Sequence, residues 1–202
     1  MMRDVPAVYL ASASPRRSEL LRQIDVAHSV LPVDIDEVPR PGERPADYAL
    51  RLAEEKARAL WAQLPVAERR PVLAADTTVA LGEEILGKPV DHDDAVRILG
   101  RLSGRQHEVH TAVAVLHAGG ADARLCTSTV AFRALTRAEI DWYWSTGEPA
   151  DKSGAYAVQG HAAIFIRYLA GSYSGVMGLP LYETWELLAP VLGLNCNGTR
   201  AP

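Results

Sequence analysis

Tyr9-Leu10-Ala11-Ser12-Ala13-Ser14-Pro15-Arg16-Arg17-Ser18-Glu19-Leu20-Leu21 is the stretch whose reading decides the fold. It emerges from a short apolar run, residues 8–11, which reads as a strand. A helix follows at once. Ser14 suits the N-cap, because its hydroxyl can accept from an otherwise unpaired amide. Pro15 suits the first helical position, where a missing N–H costs nothing. Arg16 and Arg17 then fall in the first turn, the wrong end for cations if the helix dipole alone decides. Two arginines, two serines and free amides at one helix start make an anion site, with phosphate as the expected ligand. The alternative is a solvated basic turn.

The chain has 202 residues, 48% of them hydrophobic. That fits one domain of two lobes with a sizeable core. The net charge of −4 excludes a molecule that binds nucleic acid by bulk basicity. A phosphate ligand must therefore meet a local cluster of cations. Cys126 and Cys196 lie far apart and in no metal spacing, which points to a reducing, cytoplasmic compartment. The N-terminal apolar run is too short for a signal peptide, and no segment approaches the roughly 20 apolar residues of a membrane span. In a cytosolic chain the Asn197-Gly198-Thr199 pattern carries no weight, and the tail from residue 195 reads as frayed.

Further along, residues 15–24 read as the first helix and 28–33 as a strand. An acidic loop, Asp34-Ile35-Asp36-Glu37, comes next. Its carboxylates repel one another unless a cation lies between them; otherwise it is a solvated turn. Residues 45–64 form the longest helical pattern, with Ala49, Leu50, Ala53, Ala57, Leu60 and Trp61 as its apolar stripe. Lys56 borders that stripe. It either snorkels out of the core or points into a cleft to meet an anion. Residues 71–75 read as a buried strand ending on Asp76-Thr77-Thr78, where α/β folds place their ligands, although Asp76 could equally be a cap or turn residue. A hairpin spans 79–86. Gly87-Lys88-Pro89 follows, with Pro89 holding Lys88 extended; the alternative is a surface lysine.

A helix capped by Asp91 runs to residue 102, and strands at 107–117 and 124–132 are joined by a loop at 118–122. Thr136 and Glu139 form a capping box, and Gly147 closes that helix. Residues 147–160 have no clean periodicity and read as a binding loop. A strand at 162–169 and a helix at 181–192, with a stripe of Leu181, Trp185 and Leu188, complete the chain. Alternating strands and helices with antiparallel pairs imply an α/β fold with a mixed sheet. There is no Walker A pattern, no Gly-x-Gly-x-x-Gly and no Gly-x-Ser-x-Gly elbow. Four cations (Arg16, Arg17, Lys56, Lys88) and two carboxylates (Glu37, Asp76) at element ends or in loops suit a metal-bound triphosphate.

The residues 10–17, Glu55-Lys56-Ala57, Ala75-Asp76-Thr77, Gly87-Lys88-Pro89, residues 153–160 and Gly178-Leu179-Pro180 occur in one order. In these motifs the chain resembles the Maf family of nucleoside triphosphate pyrophosphatases, also called septum formation inhibitor proteins. The resemblance implies hydrolysis between the α and β phosphates, giving the monophosphate and pyrophosphate. It implies a two-lobed fold like that of the inosine triphosphatase proteins, a divalent metal (Mg²⁺ or Mn²⁺) and a homodimer. It makes Asp76 the proton acceptor, Glu37 with Asp76 the metal site, and Arg16, Arg17, Lys56 and Lys88 the phosphate-binding cations beside Ser14. Arg16, Thr77 and Gln159 match the set carried by the dTTP and UTP branch. The 7-methyl-GTP branch has Trp, Gln and Glu there. A Gln amide offers a donor and an acceptor to the N3–H and carbonyl edge of uracil or thymine. Ala13, His161 and Met177 are mild departures, of which His161 bears on the packing of the base-reading loop. A nucleotide-sensing regulator of septum formation, and a 7-methyl-GTP pyrophosphatase, are the rival readings.

Overall fold

A computed structural model describes residues 7–194. The expected frayed tail, Cys196 and the Asn197 pattern lie outside the described residues. Strands β1 (Val8–Leu10), β2 (His28–Val30), β3 (Val72–Leu81), β4 (Glu84–Leu86), β5 (Gln106–His117), β6 (Gly120–Phe132) and β7 (Ile166–Ala170) build one sheet. Helices α1 (Pro15–Gln23), α2 (Pro45–Gln63), α3 (His92–Leu102), α4 (Arg137–Ser145), α5 (Tyr173–Met177) and α6 (Leu181–Leu192) flank it. The spatial order is β2-β1-β3-β5-β6-β7, with β4 also on β3. β1, β2 and β3 run parallel, while β3, β5, β6 and β7 pair antiparallel. This is the mixed α/β sheet expected from the alternation of patterns. Among the described residues no helix is long and apolar enough to cross a membrane.

Strand alternation sorts the core into separate clusters. Leu73, Ala75 and Val113 face Leu10, Leu21 and Leu188 of β1, α1 and α6. Ala74, Ala112 and Ala114 face Ala49, Ala53, Ala57 and Leu60 of α2. Alanine on both sides of that interface leaves no bulk to hold α2 away from the sheet. A third cluster, with Ile98, Leu102, Phe132, Tyr143 and Phe165, packs α3 and α4 at the other end.

Several expected boundaries move. β3 does not end at Asp76 but runs on to Leu81, because β5 continues the ladder along Val72–Ala80. β2 stops at Val30, where its pairing with β1 ends. β6 starts at Gly120, so the β5–β6 turn is tighter than expected. Residues His161–Phe165 form a 3-10 turn rather than the start of a strand. α5 went unforeseen, being too short to show a period. On α6 the buried residues are Thr184, Leu187 and Leu188, and Trp185 is only half-buried.

Residues 31–44 have no regular structure, yet α2 holds them firmly. Arg51 Nε and Nη2 donate to Glu43 at 2.6 and 2.8 Å, Nη1 to Glu55 at 3.1 Å, and Nη2 also to the Val38 carbonyl at 3.3 Å. The Tyr48 hydroxyl donates to the Glu37 carbonyl at 2.6 Å. The Arg51 hydrogen bonds pull the Glu43 carboxyl down to about 2. A carboxyl depressed in the folded state stabilises fully above its ordinary value of 4.5, and that stabilisation is lost as pH falls toward the folded value. Arg51→Met should therefore cost about 1–3 kcal/mol at pH 7. Its urea midpoint should also drop less between pH 7 and pH 3 than that of the parent.

Candidate active site

β5 occupies one edge of β3 along residues 72–80. On the other edge β1 pairs only Val72 and Leu73, and β4 only residues 79–81. Among the described residues no strand lies beside residues 74–78 there. The gap opens into a cleft of about 680 Å³, within the size range of small-molecule sites. Ser14, Arg16, Arg17, Glu37, Lys56, Asp76, Thr77, Lys88 and Gln159 all line it. Because the cleft wraps around a free strand edge, side chains from both faces of β3 reach it.

Asp76 and Thr78 share the α2 face. Lys56 Nζ lies 2.8 Å from Asp76 Oδ1 and 2.7 Å from Glu37 Oε1. The ammonium is buried, which decides between the two readings of Lys56: it points inward and does not snorkel. Asp76 Oδ2 accepts from the Thr78 hydroxyl at 3.1 Å. Burial pushes the Glu37 carboxyl up, but the Lys56 hydrogen bond and the charges of Lys56, Lys88 and Arg17 outweigh it, holding the group below its ordinary range.

Thr77 points to the opposite face. Its hydroxyl accepts from Arg17 Nη2 and from Thr111, both at 3.2 Å. Arg17 Nε also donates to the Gly178 carbonyl at 2.8 Å, and Nη1 to Ser12 Oγ at 3.0 Å. Three of the five guanidinium N–H groups thus brace α1 against β3 and the Gly178 turn, and two remain for the cleft. Burial lowers the Arg17 pKa, against the opposing pull of Asp76. Arg16 Nε lies 3.4 Å from the Met177 carbonyl. Ser14 stands at the N-cap position, but its hydroxyl makes no capping bond, contrary to the expectation. Ser12 shapes the helix start instead, its Oγ accepting from the Ser14 N–H at 3.1 Å.

The binding loop is stapled to the sheet through Ser153, whose hydroxyl donates to the Leu86 carbonyl at 3.0 Å and accepts from the Val79 N–H at 3.2 Å. The Gly154 N–H donates to the Gly87 carbonyl at 3.0 Å, next to the exposed Lys88. Gly154 has φ +70, and a Cβ there would sit 2.8 Å from Val79, so only glycine fits. Gln159 is exposed to the cleft, and among the described residues its amide has no protein partner.

Sequence reasoning gave no individual site role to Tyr48, Thr78, Asp151 and Lys152. All line the cleft. Tyr48 could have been found: Tyr48, Leu52 and Lys56 follow at four-residue steps along one face of α2. The Asp151–Lys152 ion pair sits in a loop whose pattern gives no orientation. Among the described residues no group of three or more His, Cys, Asp or Glu could cage a metal. Glu37 and Asp76 offer hard oxygen donors that suit Mg²⁺ or Mn²⁺ if phosphate and water complete the shell.

The sequence is 53% identical over 197 residues to a dTTP/UTP pyrophosphatase of Methylobacillus flagellatus, covering 98% of each chain. It is 51% identical over 181 residues to a dTTP/UTP pyrophosphatase of Pseudoalteromonas atlantica, covering 89% of this chain and 94% of the relative. Among solved structures, the Ham1 protein of Staphylococcus aureus aligns with a TM-score of 0.40 at 16% identity, over 62% of this chain and 70% of that one. The family model described as "Maf-like protein" matches residues 7–191. With that match and such relatives, the chain belongs to the Maf-like protein family.

Proposed function

We propose that this chain hydrolyses dTTP and UTP to the monophosphate and pyrophosphate. The observation that carries the reading is the single cleft in which the Lys56–Asp76–Glu37 cluster, the start of α1 and Gln159 meet. The names of relatives at about half identity support it. A homodimer and a link to septum formation belong to the same reading and rest on the family resemblance alone, while a cytoplasmic location rests on the cysteine usage.

The start of α1 supplies unpaired amides, the free Ser14 hydroxyl, Arg16 and the two remaining N–H groups of Arg17 to the phosphate chain. Lys56 and Lys88 add charge to its oxygens. Asp76 accepts the proton of the attacking water, and Lys56 and Thr78 hold that carboxylate in place. The bond between the α-phosphorus and its bridging oxygen breaks. Pyrophosphate leaves with its charge met by the cations. Gln159 reads the base edge by one donor and one acceptor.

The four cations exceed the two carboxylates by two charges, while a nucleoside triphosphate brings about −4, so a divalent cation makes up the difference. Glu37 and Asp76 would hold it, and it would supply further neutralisation of phosphate charge.

Asp76→Asn should keep the fold and lose about 10²–10⁴-fold in turnover, measured as pyrophosphate release from UTP; an active variant removes the proposed base. Lys56→Met should lose about 10²–10³-fold and also lower the melting temperature, because two carboxylates are left facing each other. Chelation should abolish pyrophosphate release, and Mg²⁺ or Mn²⁺ should restore it. Gln159→Glu should impair UTP and dTTP hydrolysis more than Arg17→Ala alters base preference. Running 7-methyl-GTP beside dTTP separates the two branches; faster turnover of 7-methyl-GTP by the parent overturns the assignment.

A further inference from the structure

We propose that Glu148 is a positioning residue for base selection, setting where Gln159 sits through a two-armed hydrogen-bond clamp. This rests on the pyrimidine reading of Gln159 given above.

Glu148 opens the binding loop, while its carboxylate lies against the loop's end. Its side chain is 18% exposed. Oε1 accepts from the Tyr143 hydroxyl at 2.6 Å. Tyr143 is fully buried, and its oxygen in turn accepts from the Ala157 N–H at 3.1 Å. Oε2 accepts from the His161 N–H at 3.0 Å and lies 3.0 Å from His161 Nδ1. One carboxylate therefore anchors residue 157 through Tyr143 and residue 161 directly, and Gln159 is midway between the two anchors. A third restraint closes the segment: the Gly160 N–H donates to the Ala157 carbonyl at 3.1 Å. Gly160 has no room for a side chain, since a Cβ would lie 2.1 Å from Glu148 Oε2. The carboxylate packs where that side chain would be.

Among the described residues Gln159 itself has no protein partner, so the position of its amide depends on the anchors of its backbone. Burial raises the Glu148 carboxyl, but the hydrogen bonds from Tyr143 and His161 outweigh this and keep it below the ordinary range. It is thus held as a charged acceptor. His161, unusual beside the base-reading loop, packs its ring edge-on to Trp142 and covers the carboxylate.

Two variants each cut one arm. Glu148→Gln is isosteric but turns one of the two accepting oxygens into an NH2, so one arm meets a donor that cannot accept. Tyr143→Phe keeps the ring packing and releases Ala157. In each, the ratio of kcat/KM for UTP to that for GTP should fall about tenfold, through a raised KM for UTP with kcat little changed. The inhibition constant of pyrophosphate, which occupies only the phosphate wall, should stay within about twofold. Gln159→Ala, run in parallel, should lower the same ratio. If either folded variant keeps the parent ratio while Gln159→Ala lowers it, the clamp proposal is overturned and the reading of Gln159 stands. If pyrophosphate inhibition weakens as much as UTP binding, the residue is merely structural and the proposal is again overturned. A Gln159→Ala enzyme with the parent ratio overturns the base reading and the clamp together.

Discussion

The contact on which the rest depends is the Lys56 ammonium between Asp76 and Glu37. It joins a helix, a central strand and an irregular loop at one buried point. A carboxylate in the middle of a sheet is costly unless it is paired and hydrogen-bonded. Lys56 and Thr78 meet that demand for Asp76. Removing one partner of the buried Lys56–Asp76 pair costs about 3–5 kcal/mol, whereas Glu37, its side chain 43% exposed, adds less. Here the polar cluster that stabilises the junction of α2 and β3 also lines the cleft.

The geometry that permits this is a sheet that splits. β1 and β4 take opposite ends of the same edge of β3 and leave residues 74–78 bare between them. An unpaired edge is normally a liability, open to pairing with another strand. Here Ser153 caps the Val79 amide at one end of the gap, and Ala11 donates to the Leu73 carbonyl at the other. The unpaired stretch is short and bordered by charged side chains. It faces α1, whose Arg17 spends three donors on tying the helix to Thr77, Ser12 and Gly178. Thr77 therefore influences the cleft chiefly through the arginine it orients.

Local signals in the sequence located most elements, since strands and helices with clear periods declare themselves. Pro15 at the start of α1, the Asp91 cap and the Thr136–Glu139 box were legible because capping is settled by neighbours three residues away. The legible site residues were those in short motifs: Arg16, Arg17, Lys56, Asp76, Lys88 and Gln159 all line the cleft that the motifs suggested. Residues without a motif stayed hidden. Asp151 and Lys152 sit in a loop without a period, and no spacing gives their orientation.

The sequence by itself determined the class of fold, the family and the inventory of charges, because periodicity, capping and motif order are local properties of the chain. Only the tertiary structure decided that Lys56 points inward, that β3 runs through Asp76 to Leu81, and that Ser12 rather than Ser14 shapes the start of α1. The first two outcomes depend on partners far away in sequence, the third on how neighbouring side chains turn. Asp76 and Glu37 supply the counter-charge that turns a lysine into the core, β5 supplies the ladder that carries a strand past a carboxylate, and Ser12 Oγ is held between the Ser14 N–H and Arg17.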